Sequence, residues 1–216
     1  MSAAEKRVTG ITGLTGSGKS EACAFLREAG YRVIDADKTA HGLYKKNSPL
    51  YRALVKKYGK KIEGPGGIDR KALAQEALRD DKSYREFTAL VYPPLVRALT
   101  REAGALRESR VIVDMAVLYE SGFYRKCGAV IVVSASEKNR KNRCKDKWNT
   151  ETMKKIRRFQ RCFTLRKKIE LGAGIIYNNE SKASLRKKII DAVKRIERES
   201  VWKRTRRKKI LKKLKK

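Results

Sequence analysis

Gly13-Leu14-Thr15-Gly16-Ser17-Gly18-Lys19-Ser20 decides how this chain folds, because it satisfies the full phosphate-loop pattern of Gly, four residues, Gly-Lys-Ser. A short β-branched run, Arg7–Ile11, leads in. A helical pattern over Lys19–Ala29 leads out, with Ala22, Cys23, Phe25 and Leu26 on one face and Gly30 as its terminator. Gly13, Gly16, Ser17 and Gly18 let the backbone curl so that successive N–H groups converge on phosphate oxygens at the positive end of a helix. Lys19 then has the reach for the β- and γ-phosphates, Ser20 offers a hydroxyl to Mg²⁺, and Glu21 offers its backbone N–H. A bare glycine-rich turn can match so short a pattern. The strand before it and the amphipathic helix after it favour nucleotide binding.

Four further short apolar runs read as buried strands: Tyr31–Asp35, Arg110–Asp114, Ala129–Ser134 and Gly174–Tyr177. Strand alternating with helix predicts an α/β fold: a five-stranded parallel sheet covered on both faces. With 216 residues the chain suits one such unit. We expect a core of 7–35, 110–135 and 172–200 and a helical insertion over 36–109. The insertion is broken at Asn47-Ser48-Pro49, at Gly64-Pro65-Gly66-Gly67 and at Tyr92-Pro93-Pro94. A second, basic insertion over 137–168 reads as two helices joined near Trp148-Asn149-Thr150, a segment able to act as a lid.

Lys and Arg number 55 against 23 Asp and Glu, a net charge of +32, which attracts polyanions without choosing among nucleotides, nucleic acids and acidic membranes. Ten basic residues and no acidic one lie in the tail, 201–216, and removing those ten still leaves +22 on the rest. Trp202, Ile210, Leu211 and Leu214 within the tail allow a basic amphipathic helix against RNA or an anionic surface, but a solvated, partly disordered tail is the simpler reading. Cys23, Cys127, Cys144 and Cys162 have neither zinc-ligand nor redox-pair spacing. With no membrane-length apolar run and no hydrophobic signal in Met1–Lys6, a cytoplasmic protein is expected.

Phosphoryl transfer asks a protein for alignment, charge neutralisation and a group that takes the acceptor's proton. Asp35-Ala36-Asp37 follows the second strand, at the strand end where parallel α/β proteins hold ligands. Asp37 is therefore the general-base candidate, with helix capping as its competing role. Asp114 ends another strand, where it either supports Mg²⁺ or serves a loop. His41, without a visible partner, reads as structural or exposed.

Taken together these residues resemble the dephospho-CoA kinase family from Val8 to about Val193. The resemblance rests on Thr12-Gly13 running into the phosphate loop, Val33-Ile34-Asp35-Ala36-Asp37 and Gly67-Ile68-Asp69-Arg70-Lys71-Ala72-Leu73. It continues through Asp114-Met115-Ala116-Val117-Leu118-Tyr119-Glu120, Gln160 and Ile175-Ile176-Tyr177-Asn178. It implies a P-loop nucleoside-kinase-like three-layer fold and ATP- and Mg²⁺-dependent phosphorylation of the 3′-hydroxyl of dephospho-CoA, the last step of coenzyme A synthesis. Asp37 matches the family's proposed base, with Lys19 as its catalytic companion. Arg70, Tyr92 and Glu120 fall to the acceptor, although Arg70 can equally pair with Asp69 or Glu63 on a surface.

The chain departs from the family at several points. Tyr92-Pro93 stands for His-Pro, Ala116 for a proline, Gly172-Ala173 for Ala-Asp, and Leu14-Thr15 for Gly-Ile. Family lid arginines that meet ATP align most simply with Lys141 and Lys145, and with Arg140 and Arg143 if the register shifts; lysine keeps the charge but loses the bidentate fork. Two other readings stay open: another P-loop nucleoside or nucleotide kinase, and a nucleic-acid-binding P-loop protein that uses the basic tail.

Overall fold

Each core strand alternates its side chains between two apolar layers, which is what a sheet covered on both faces requires. Val111 and Val113 of one strand join Leu95, Leu99 and Ala103 on one face, while Ile112 between them joins Leu26, Leu185 and Ile189 on the other. The structure is a computed structural model. It describes residues 7–106, 108, 110–145, 150–151, 153–155 and 163–213, with 200–213 described by their backbone alone.

In chain order the elements begin with β1 (Val8–Thr12), α1 (Lys19–Glu28), β2 (Arg32–Asp35), α2 (Ala36–Leu43) and α3 (Pro49–Tyr58). A short hairpin of β3 (Glu63–Gly64) and β4 (Gly67–Ile68) follows, then α4 (Arg70–Ala77), α5 (Asp81–Ala105) and β5 (Val111–Asp114). The chain continues through β6 (Ala129–Ser134), α6 (Glu137–Arg143), α7 (Leu165–Glu170), β7 (Gly174–Tyr177) and α8 (Lys182–Lys213). The main sheet has the order β2-β5-β1-β6-β7 and every pair in it is parallel. Helices α1 and α8 cover one face and α5 covers the other, so the fold is the expected three-layer α/β unit. Among the described residues no helix is long and apolar enough to cross a membrane.

Register places the polar strand ends together. Ile11 of β1 lies opposite Asp114 of β5, and Asp114 lies opposite Asp35 of β2. Two acidic strand ends and the start of the phosphate loop therefore share the carboxyl edge of the sheet, where α/β folds hold ligands.

The insertion has its own apolar cluster, in which Leu50 and Leu54 of α3, Ile62, Leu73 of α4 and Val91 of α5 are buried. Ser48 caps α3 with Pro49 at its first position, as a Ser-Pro helix start should. The expected break at Gly64-Pro65-Gly66-Gly67 is the β3–β4 hairpin.

Two expectations are corrected. Tyr92-Pro93-Pro94 does not break the insertion: α5 runs through both prolines as one 25-residue helix. Each proline removes a helical N–H, but buried Val91 before them and buried Leu95 and Leu99 after them pin the helix on both sides. The carboxy-terminal tail is likewise no coil, since α8 continues as helix to Lys213; residues 214–216 lie outside the described residues. So do Trp148 and Asn149, the expected junction within 137–168, as well as Gln160 and Cys162.

Candidate active site

The phosphate loop takes the shape its glycines permit. Gly16 and Gly18 have φ of 79° and 94°, a left-handed backbone that other residues adopt at a cost of about 1–2 kcal/mol. Space is short as well. A Cβ on Gly13 would lie 2.5 Å from both the Ser17 Oγ and the Val133 carbonyl, and one on Gly16 would lie 2.7 Å from the Arg140 carbonyl. A Cβ on Gly18 would collide with the Asn178 amide nitrogen. Gly18 is also the cap residue of α1 and lends it no side-chain acceptor, so the first N–H groups of the helix remain free to meet an anion.

Neighbouring segments hold the loop's carbonyls. Asn178 Nδ2 donates to the Ser17 carbonyl at 2.8 Å, in a buried bond, and Asn178 itself is tied to Ser134 by its backbone N–H at 2.7 Å. From α6, Arg143 donates to the carbonyls of Gly16 at 3.2 Å, Ser17 at 3.3 Å and Asn178 at 2.9 Å. Arg140 donates to that of Thr15 at 3.0 Å. These donors engage the carbonyls of Thr15, Gly16 and Ser17, while the Ser17 N–H closes a turn onto the Leu14 carbonyl at 3.0 Å. The Ser17 hydroxyl is buried with no partner among the described residues, an orphan that a phosphate oxygen would satisfy.

Lys19 and Asp114 form a hydrogen-bonded ion pair across the carboxyl edge. Ser20, next to Lys19, lines the cleft, and the Glu21 carboxylate is taken by Lys182 at 3.0 Å. A hydroxyl and one carboxylate beside a phosphate loop are the donors that Mg²⁺ commonly takes, the remainder being phosphate oxygens and water. Among the described residues no cluster of three acidic, His or Cys side chains exists to hold a metal without a ligand's help.

A single cleft of about 580 Å³ gathers Gly13 through Glu21, Asp37, Ala116, Arg143, Cys144, Asn178, Glu180, Lys182 and Leu185. Asp37 therefore faces the phosphate loop. It does not cap α2, because Asp35 does so: its Oδ1 accepts the N–H of Asp37 at 2.9 Å and of Lys38 at 3.2 Å. The carboxylate of Asp37 is exposed and makes no hydrogen bond or ion pair among the described residues. Close by, the Tyr44 hydroxyl is pushed up to about 12, first by burial and then by the negative charge of Asp37.

The other expected residues are placed around this cleft without lining it. Arg70, exposed at the start of α4, lies 2.6 Å from His41 Nε2 and makes no ion pair among the described residues, so neither Asp69 nor Glu63 holds it. Tyr92 shares a hydroxyl–hydroxyl bond of 3.1 Å with Tyr84. Glu120 sits with one carboxylate oxygen buried and unpartnered, and burial raises its pKa. Nearby Lys168 lies over the Tyr119 ring at 5.4 Å, its own pKa lowered by burial. Lys141 is paired with Glu137 at 3.4 Å, and Lys141 and Lys145 are both exposed and do not line the cleft. Among the thiols, Cys23 and Cys127 are buried and desolvation pushes both up, Cys127 to about 12, while Cys144 is half-buried on the cleft wall.

Sequence reasoning had Arg143 only as a register alternative and did not weigh Glu180 and Lys182. Arg143 had a usable signal, since it lies three residues after Arg140 and so on the same face of a helix that follows β6.

The sequence model of the dephospho-CoA kinase family matches residues 7–184. Dephospho-CoA kinase of Aquifex aeolicus is 36% identical over 132 residues, which are 60% of this chain and 67% of the relative. That of Fusobacterium nucleatum is 29% identical over 185 residues, 84% of this chain and 94% of the relative. Among solved structures, TT1252 from Thermus thermophilus superposes with a TM-score of 0.70 at 26% identity, covering 86% of this chain and 95% of that one. Dephospho-CoA kinase from Campylobacter jejuni shares the fold with a TM-score of 0.65 at 20% identity, covering 90% and 98%. With a phosphate loop, an acidic strand end facing it and a family match over most of its length, the chain belongs to the dephospho-CoA kinase family.

Proposed function

We infer that the chain transfers the γ-phosphoryl group of ATP to the 3′-hydroxyl of dephospho-CoA, giving coenzyme A and ADP in the cytoplasm. The observation that carries the mechanism is the shared cleft of Asp37 and the phosphate loop, with the Asp37 carboxylate unengaged. The carboxylate accepts the proton of the attacking hydroxyl while the loop N–H groups, Lys19 and the Ser17 hydroxyl hold the donor phosphates. The guanidinium of Arg143 adds positive charge at the same wall and pairs with no acid among the described residues. Ser20 and Asp114 are the residues that would hold Mg²⁺, whose contribution is to neutralise phosphate charge.

The insertion over 36–109 is the acceptor side of this reading, with Arg70 as a phosphate contact and Tyr92 and Glu120 as further acceptor contacts. The segment 137–168 is the lid, which excludes water that would otherwise hydrolyse the γ-phosphate. Lys141 and Lys145 belong to it and come to the nucleotide only on closure, whereas Arg143 already lies in the cleft.

The test is ADP release from ATP and Mg²⁺ with dephospho-CoA, set beside nucleosides, nucleotides and shikimate as alternative acceptors. Turnover with dephospho-CoA well above the others is expected. Robust turnover with another acceptor and none with dephospho-CoA would overturn the assignment.

A further inference from the structure

We propose that the end of α8 is a docking element for the phosphodiester backbone of a nucleic acid. Helix α8 is bound to the body by one apolar seam. Leu185, Ile189 and Val193 are buried against α1 and the sheet, and Ile196 packs at their edge. Carried on at the same spacing of three and four, the seam would need apolar residues at 200, 203 and 207, where the chain has Ser200, Lys203 and Arg207. The helical backbone nevertheless continues to Lys213. Three successive seam positions are thus polar, and the apolar pattern resumes only at Ile210.

Charge changes at the same point. Earlier in α8, three cations meet nearby acids: Lys182 meets Glu21 at 3.0 Å, Arg186 meets Glu28 at 2.5 Å and Lys188 meets Glu180 at 2.7 Å. After Glu199 the sequence has no acid, while ten of the residues 201–216 are basic. Lys203 and Arg207, Arg204 and Lys208, Lys208 and Lys212, and Lys209 and Lys213 are like-charged pairs at i, i+4, each of which disfavours the helix by a few tenths of a kcal/mol when no counter-ion is near. The sequence after Glu199 offers these pairs no acid of its own, and a polyanion laid along them would supply the counter-charge.

A membrane surface fits this segment less well than a phosphodiester strand does. An interfacial helix needs an apolar residue in each turn, yet 203–209 reads Lys-Arg-Thr-Arg-Arg-Lys-Lys, about two turns without one. A nucleic acid asks only for closely spaced cations along its backbone.

The experiment compares three proteins: the full chain, a chain ending at Ser200, and a full-length variant with Lys208, Lys209, Lys212 and Lys213 replaced by Gln. Each is titrated at several salt concentrations against a fluorescent single-stranded 20-mer RNA, a duplex DNA of related sequence, and phosphatidylserine vesicles. Because the rest of the chain still carries +22, salt dependence is the readout that separates the tail's contribution. For RNA, the slope of log affinity against log salt should be steeper for the full chain than for the shortened one by about 4–7, corresponding to six to ten phosphate contacts. The Gln variant should fall between them, and phosphotransfer should be unchanged in all three. Tighter binding of the RNA or of the DNA identifies which strand is preferred. Equal affinities and slopes for the three proteins, or tail-dependent binding to vesicles with none to nucleic acid, would overturn the proposal.

Discussion

Asp35 Oδ1 accepts the backbone N–H of Asp37 at 2.9 Å, and this one bond separates the duties of two carboxylates two residues apart. The first ends β2 and caps α2; the second stands in the first turn of α2 with its carboxylate toward the phosphate loop. Their substitutions should therefore fail differently. Asp37→Asn is expected to lower kcat by about 10²–10⁴ while ATP affinity and melting temperature stay near those of the parent. Asp35→Ala should cost about 0.5–2 kcal/mol of stability as a lost cap. Single-turnover kinetics and thermal melts on the two variants check this; an active Asp37→Asn protein would remove Asp37 from the chemistry.

Arg143 and Lys141 should also separate. Arg143→Gln removes three bonds to loop and strand-end carbonyls as well as a cleft charge, and KM for ATP should rise about tenfold or more. Lys141→Gln leaves the loop's bonds intact and removes only a charge that reaches the nucleotide on closure, so the same constant should rise by less, about threefold. Initial-rate measurements against ATP at saturating acceptor decide between them.

Gly16→Ala places a side chain at φ 79° and within 2.7 Å of a backbone carbonyl of α6. The left-handed backbone costs about 1–2 kcal/mol, and the contact forces α6 away from the loop. Calorimetric titration with ATP should show affinity lowered at least about tenfold, together with a lower melting temperature.

At low pH the start of α5 should show itself. Asp80 caps that helix through the Ser83 N–H at 2.7 Å, and this backbone bond, followed by Arg79, lowers its pKa from 3.8 to about 2. A depressed carboxylate contributes stability that is present above the unfolded value and lost as pH falls through the folded one. The difference in melting temperature between the parent and Asp80→Ala should thus be constant above about pH 4 and shrink towards pH 2. A difference that persists unchanged below that window would show that the cap's charge is irrelevant.

The five core strands could be read from the sequence because each is a short β-branched run ending at a polar residue or a turn, and buried parallel strands have few other ways to be written. The phosphate loop was legible for a similar reason: its glycines answer local constraints of φ and of space. The duties of Asp35 and Asp37 were not, since both are good caps, and the choice depends on where the helix begins to within one residue. Pro93-Pro94 misled in the opposite direction: local propensity says break, but buried neighbours on both sides of the pair hold the helix together. Arg143 stayed unresolved because its place in the cleft depends on the docking of α6, a tertiary relation that no spacing within α6 encodes.

The prolines that failed to break α5 have a mechanical consequence. Before them, Phe87, Leu90 and Val91 pack in the apolar cluster of the insertion; after them, Leu95, Leu99 and Ala103 pack against the sheet that carries the phosphate loop. One helix is thus a beam shared by the insertion and the sheet, and its two prolines, which lack the helical N–H, fall at the seam between them. A beam bends most readily where its internal bracing is thinnest. Asp37 itself is held by β2 in the sheet, so a bend at this point would move the far part of the insertion relative to Asp37 and the loop, and replacing Pro93 and Pro94 by alanine would stiffen that beam without altering either of them.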